Sequence, residues 1–165
     1  MEHHSRGALC SNRDLESMST PHLFVTDKPE AAALAHLSDG LDQFNIAATG
    51  IADRRPLAVL AEDPDTHEVL GGVTGRTSLG LLFLDVFFLP ETLRGSGLGS
   101  RILQMAEDEG RRRGCRSAVL YTISFQAPEF YKLHGWRVFG EIACDPPGTH
   151  RIFLTKNLVP AASSS

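Results

Sequence analysis

The segment Arg94-Gly95-Ser96-Gly97-Leu98-Gly99-Ser100 lies between an apolar run at residues 81–89 and a helix-like run at residues 101–113. Three glycines in five positions let the main chain pass close to a ligand. A helix opening directly behind them turns unpaired N–H groups and the positive end of its dipole toward that ligand. The loop therefore predicts a cradle for phosphate. A nucleotide-hydrolysing P-loop needs Lys and then Ser or Thr after its last glycine, whereas Ser100 and Arg101 follow Gly99 here, which disfavours ATP or GTP hydrolysis. A dinucleotide fold needs G-x-G-x-x-G directly after the first strand, and an acid about 20 residues on for the ribose. In this chain Ser100 takes the last glycine position, the loop lies past the middle, and the next strand ends Val119-Leu120-Tyr121 without an acid. A nicotinamide dinucleotide is the weaker alternative.

The pattern around the loop predicts one mixed α/β domain. A short strand is expected near residues 23–26. Pro29 and Glu30 then suit a helix start, and the spacing of Ala32, Leu34, Ala35, Leu37, Leu41 and Phe44 predicts one or two short helices flanking a sheet. Strands are expected at 57–61 and 69–77, joined by the turn Glu62-Asp63-Pro64-Asp65. The run Leu81-Leu82-Phe83-Leu84-Asp85-Val86-Phe87-Phe88-Leu89 reads as a central strand buried on both faces, ended by Pro90. Behind the loop, a helix with Leu98, Ile102, Met105 and Ala106 on its inner side is expected. It is followed by a strand at 117–121, a short helix to Leu133, and strands near 136–143 and 150–156.

Composition agrees with a compact enzyme domain. The 165 residues suffice for one well-buried core, and 42% hydrophobic with 22% charged residues is ordinary for a soluble globule. A formal net charge of −4 without a clustered basic surface run argues against nucleic acid as the main partner. The one basic run, Arg111-Arg112-Arg113, follows Glu107-Asp108-Glu109 in the order that suits the helix dipole, and reads as a solvated helix end. Cys10, Cys115 and Cys144, odd in number and widely spaced, suggest reduced thiols in a cytoplasmic protein, and no metal site is expected. Residues 1–19 read as a leader or scar, residues 20–158 as the domain, and residues 159–165 as a disordered tail. His3 and His4 read as a tag-like or solvated pair.

The loop read as Arg94-Gly95-Ser96-Gly97-Leu98-Gly99 resembles the Arg-x-x-Gly-x-Gly/Ala loop of the GNAT N-acetyltransferase superfamily. A second segment, Ala127-Pro128-Glu129-Phe130-Tyr131-Lys132-Leu133-His134-Gly135-Trp136, is similar to that family's A-x-x-F/L-Y-x-x-x-G-F/W element. Two motifs at the family's separation are far more specific than one Gly-rich loop, and the match extends over residues 57–158. The resemblance implies the GNAT acyltransferase fold, in which two central strands diverge to form a notch, and acetyl-CoA as cosubstrate. It implies that main-chain groups of Phe88 and Leu89 pair with the pantetheine arm. Within the loop that includes Ser96, the N–H groups of Gly95, Gly97, Leu98 and Gly99 would hold the pyrophosphate, with Ser100 adding a hydroxyl and Arg94 reaching the phosphates. Ser124 stands where the family often has an Asn against the pantetheine.

Acetyl transfer needs a neutral amine, although an alkylamine with a pKa near ~10 is mostly protonated at neutral pH. Tyr131 stands at the family's general-acid tyrosine, beside the leaving sulfur. Asp85, the single charge in the apolar run, is the leading candidate for the base, on the expectation that burial raises its pKa. Tyr121, His150 and Glu141 are weaker candidates, and His134 reads as a helix C-terminal cation. Asn45, Gln126 and Asp145 are candidate acceptor contacts. The resulting expectation is an N-acetyltransferase acting on the primary amine of a small molecule by direct transfer in a ternary complex. A peptide or protein amine is the alternative, as is an acyl-CoA-binding module without turnover; no membrane partner is expected, and a homodimer is left open.

Overall fold

A computed structural model describes residues 21–159. The expected leader at 1–19, His3, His4, Cys10 and the tail beyond Val159 lie outside the described residues. The chain divides into two compact units after Gly40. In the first, residues 23–26 form no strand, contrary to expectation: they have no ladder partner, and Leu23, Phe24 and Val25 are exposed. One long helix, α1 (Ala31–Thr49), stands where one or two short ones were expected, and its residues run from the first unit into the second. Gly40 lies inside it, and a helical glycine costs only about 1 kcal/mol, too little to end so long a helix.

The second unit holds a six-stranded sheet of order β1-β2-β3-β4-β6-β5. The strands are β1 (Arg55–Glu62), β2 (Val69–Ser78), β3 (Leu81–Phe88), β4 (Ser117–Ile123), β5 (Arg137–Cys144) and β6 (Thr149–Asn157). All neighbours are antiparallel except β3 and β4, which α2 (Leu98–Arg112) connects. A parallel pair needs such a crossover, and its helix must cover a sheet face. The helix α2 does so with Ile102, Leu103, Ala106, Glu107 and Gly110, while Met105, expected inside, is exposed. Its closest approach is at Gly110, where a Cβ would stand 3.0 Å from Leu82 Cδ2. Val73, Leu82, Leu103, Ala118 and Leu154 are wholly buried at the centre of this layer.

The strand β3 departs from the expectation of burial on both faces. Thr74 pairs with Val86 and Gly75 with Leu84, so Asp85 is an extra residue in a β-bulge. Gly75 lies beside it, where any Cβ would collide with the Phe83 carbonyl. A bulge shifts alternation by one residue. Before it Leu82 and Leu84 face the core; after it Phe87 and Leu89 do, while Asp85, Val86 and Phe88 are exposed.

Candidate active site

The two parallel strands part company midway. Ladder pairing of β3 with β4 runs only from Leu81↔Ser117 to Leu84↔Leu120. Beyond it β3 stays with β2 as far as Phe88, and β4 stays with β6 as far as Ile123. Main-chain groups along a parted edge need other partners. A cleft of about 640 Å³ occupies the opening.

One wall is largely main chain. It consists of Phe87, Phe88 and Leu89 from β3, then Arg94, Gly95, Gly97, Gly99 and Ser100. A 3₁₀ turn at Glu91–Leu93 reverses the chain after Pro90. The Arg94 Nε–H donates to the Leu89 carbonyl at 2.9 Å, and the Ser96 hydroxyl donates to the Leu93 carbonyl at 3.1 Å. Gly97, the N-terminal cap of α2, has φ +82°, a conformation that residues with a Cβ rarely adopt. The first bond of the helix runs from the Arg101 N–H to the Gly97 carbonyl at 3.1 Å. The N–H groups of Leu98, Gly99 and Ser100 therefore have no helical acceptor, and no acidic side chain lines the cleft beside them. That set of donors suits phosphate and, by its shape, a long thin cofactor.

The other wall is made of side chains: Thr122 from β4, Phe125, Gln126 and Ala127 from the following turn, and Phe130 and Tyr131 from α3 (Pro128–Leu133). Gln126 Oε1 accepts from the Thr122 hydroxyl at 2.9 Å and from the Ile123 N–H at 3.0 Å, which ties the following turn to the end of β4. Tyr131 is buried among Phe87, Phe130 and Trp136, with ring centroids 6.4, 5.2 and 6.1 Å away. Its hydroxyl has no protein partner among the described residues, and desolvation pushes its pKa up to about 12. It is thus a phenol, never a phenolate, across the neutral range.

Two walls joined to one sheet, with a glycine loop at a helix start on one of them, define the candidate site. A model of the acetyltransferase (GNAT) family matches residues 19–136, which include both walls. The chain belongs to that family. Curated relatives include "Acetyltransferase Atu2258" of Agrobacterium fabrum, 34% identical over 132 residues, covering 80% of this chain and 96% of the relative. The "Blasticidin-S acetyltransferase" of Streptomyces morookaense is 35% identical over 113 residues, covering 67% of this chain and 83% of the relative. A crystal structure from Agrobacterium tumefaciens superposes with a TM-score of 0.75 at 31% identity, over 83% of this chain and 99% of that one. The protein is accordingly a GNAT acyltransferase, of a family that uses acetyl-CoA.

Of the residues expected to bind the cofactor, Phe88, Leu89, Arg94, Gly95, Gly97, Gly99 and Ser100 line the cleft. Ser96 spends its hydroxyl inside the loop, and the Leu98 side chain packs on the core, leaving only its N–H for a ligand. Ser124 does not line the cleft: its Oγ accepts from the His150 N–H at 3.1 Å, which ties the end of β4 to β6. Asp85 needs the clearest correction. It is exposed at the bulge, both carboxylate oxygens take a hydrogen bond from Arg76 Nη1 at 2.6 and 2.7 Å, and it does not line the cleft. The burial on which its role as a base depended is absent. Tyr121 is exposed against Phe153, and Asn45 lines a separate cavity of about 160 Å³.

Thr122, Phe125 and Phe130 line the cleft without having been expected there as site residues, Phe130 being only the F/L position of the second motif; nor was the role of Glu107 expected. The last was read as part of a solvated helix end but is buried, accepting from Trp136 Nε1–H at 2.9 Å and from Lys156 Nζ at 2.6 Å. Its spacing from Leu103 and Gly110, four residues after one and three before the other, carried the signal: it sits on the inner stripe of α2.

Proposed function

We propose that this GNAT protein moves the acetyl group of acetyl-CoA to the primary amine of a small molecule, by direct transfer while both substrates are bound. The observation that carries this reading is the parting of β3 from β4, with a helix start bearing free N–H donors on one side and a buried phenol facing the opening on the other. Acetyl-CoA supplies an acetyl thioester, an activated acyl group with a stable thiolate leaving group.

The residues divide the remaining work. The N–H groups of Leu98, Gly99 and Ser100 hold the pyrophosphate, and the edge of β3 at Phe88 and Leu89 aligns the pantetheine arm as a further strand would. A main-chain N–H at the end of β3 stabilises the charge that develops on the carbonyl oxygen. Tyr131 donates a hydrogen bond to the departing sulfur. With the phenol at about 12 and an ordinary thiol near ~8.5, full proton transfer is uphill, so Tyr131 acts by hydrogen bonding and the thiolate takes its proton from water. Among the described residues, the lining of this cleft holds no Asp, Glu or His, and we assign removal of the amine proton to water. Arg94 closes the loop onto β3 through Nε and turns its remaining guanidinium N–H groups to the phosphates.

The name of the Streptomyces relative makes blasticidin S the first acceptor to test, followed by other antibiotic amines and then peptides. The deciding experiment measures acetyl-CoA affinity by calorimetry and free-thiol release across that panel. Turnover with a small amine and none with peptides is expected. Binding without thiol release for any amine would instead mean an acyl-CoA-binding module.

A further inference from the structure

His134 touches the phosphate loop from the other wall. It caps the end of α3, with Nδ1 at 2.7 Å from the Phe130 carbonyl oxygen and Nε2 at 2.9 Å from Ser100 Oγ. A carbonyl oxygen only accepts, so Nδ1 carries a proton. In a neutral ring Nε2 then has only a lone pair. The Ser100 hydroxyl must donate to it, and the Ser100 oxygen offers the cleft lone pairs alone. Those repel a phosphate oxygen. In an imidazolium both nitrogens donate: Nε2–H bonds to Ser100 Oγ, and the Ser100 proton turns to the cleft.

We infer that His134 is a positioning residue that takes up a proton from solvent when the cofactor's phosphate docks, converting the Ser100 hydroxyl from acceptor to donor. This rests on the phosphate site proposed above. No covalent bond changes: one proton moves from buffer to Nε2, and the Ser100 O–H rotates from the ring to a phosphate oxygen.

The neighbouring charges leave that equilibrium to the ligand. Glu129 pairs with Lys132 at 2.8 Å on the same short helix. Glu107, seven residues beyond Ser100 on α2, is held by Lys156 and Arg111. Arg137 at the start of β5 is exposed. The start of α2 brings positive potential and the end of α3, which His134 caps, brings negative potential; the negative charge of a docked pyrophosphate then favours the imidazolium.

Calorimetry of CoA binding at about pH 7.5, in two buffers of different ionisation enthalpy, counts the protons exchanged. The unaltered protein is expected to take up more protons per CoA than Ser100→Ala or His134→Gln, with the excess greatest near neutral pH and falling away at higher pH. CoA's own phosphates contribute equally to all three. At about pH 6 both variants should bind about 10-fold more weakly, and the gap should close at higher pH. Equal proton counts in all three proteins overturn the inference while leaving the phosphate site intact. Absence of CoA binding by the unaltered protein overturns the site itself, and this inference with it. Should circular dichroism show His134→Gln misfolded, Ser100→Ala alone decides by the same count.

Discussion

The two walls of the cleft work by different means. The wall from β3 through the glycine loop to α2 presents the ligand with main-chain groups, and its side chains mostly brace the loop itself, as Arg94 and Ser96 do. The wall from β4 to α3 presents side chains: a phenol, an amide, a threonine hydroxyl and two further aromatic rings. A main-chain site tolerates substitution except where a Cβ cannot fit; a side-chain site depends on each residue's chemistry. The first wall should therefore fail as a binding site and the second as a catalytic one.

The largest expected effect tests the first wall. Gly97→Val forces a β-branched residue toward φ +82° and sets a side chain before the N–H donors, so acetyl-CoA affinity should fall about 100-fold in calorimetry, with the circular dichroism spectrum retained. Unchanged affinity would show that the loop holds nothing. On the second wall, Tyr131→Phe should keep that affinity and lower turnover about 10²-fold, the cost of losing one hydrogen-bond donor to charge that develops in the transition state. Loss of affinity instead would erase the contrast between the walls.

Tyr131 also sets a pH dependence. The folded protein prefers the neutral phenol, so the stability this provides is present below its ordinary value of 10.0 and lost as pH rises toward about 12. Alkaline unfolding followed by phenolate absorbance should lose its late-titrating component in Tyr131→Phe. A single component in both proteins would place the phenol in water.

Glu107 ties the walls together, since it belongs to α2 and holds Trp136 and Lys156 of the other side. Glu107→Ala strands a buried indole N–H and an ammonium, a loss of about 3 kcal/mol in chemical unfolding. A loss near zero would mean the walls are held by packing alone. The smallest effect is expected at Asp85→Asn. Its partner Arg76 is a surface pair worth at most about 1 kcal/mol, and turnover should stay within about twofold with its pH profile unchanged. A lost acidic limb in that profile would restore Asp85 as the base.

The same contrast explains what could be read from the chain before folding. Gly95, Gly97 and Gly99 announce a main-chain site, because nothing else needs glycine so densely ahead of a helix. The order of β1 to β6 around α2 and α3 was legible because strand and helix periods differ. Thr122 and Phe125 were not, since nothing in the residues of β4 says where its pairing with β3 stops. Asp85 misled because a hydrophobic run reports average burial and is silent about a bulge inside it. Ser100 and His134 stand 34 residues apart, and only the packing of two helices joins them.

The bulge lets β3 carry one residue more than β2 without a change of frame. Replacing Asp85 alters one exposed side chain, and removing it would join Leu84 to Val86 and restore simple alternation, with Phe87 and Leu89 still inward and Phe88 outward. A deletion between Phe87 and Leu89 would instead exchange the duties of the residues behind it. For the evolution of this strand, the bulge is the place where a change of length costs least.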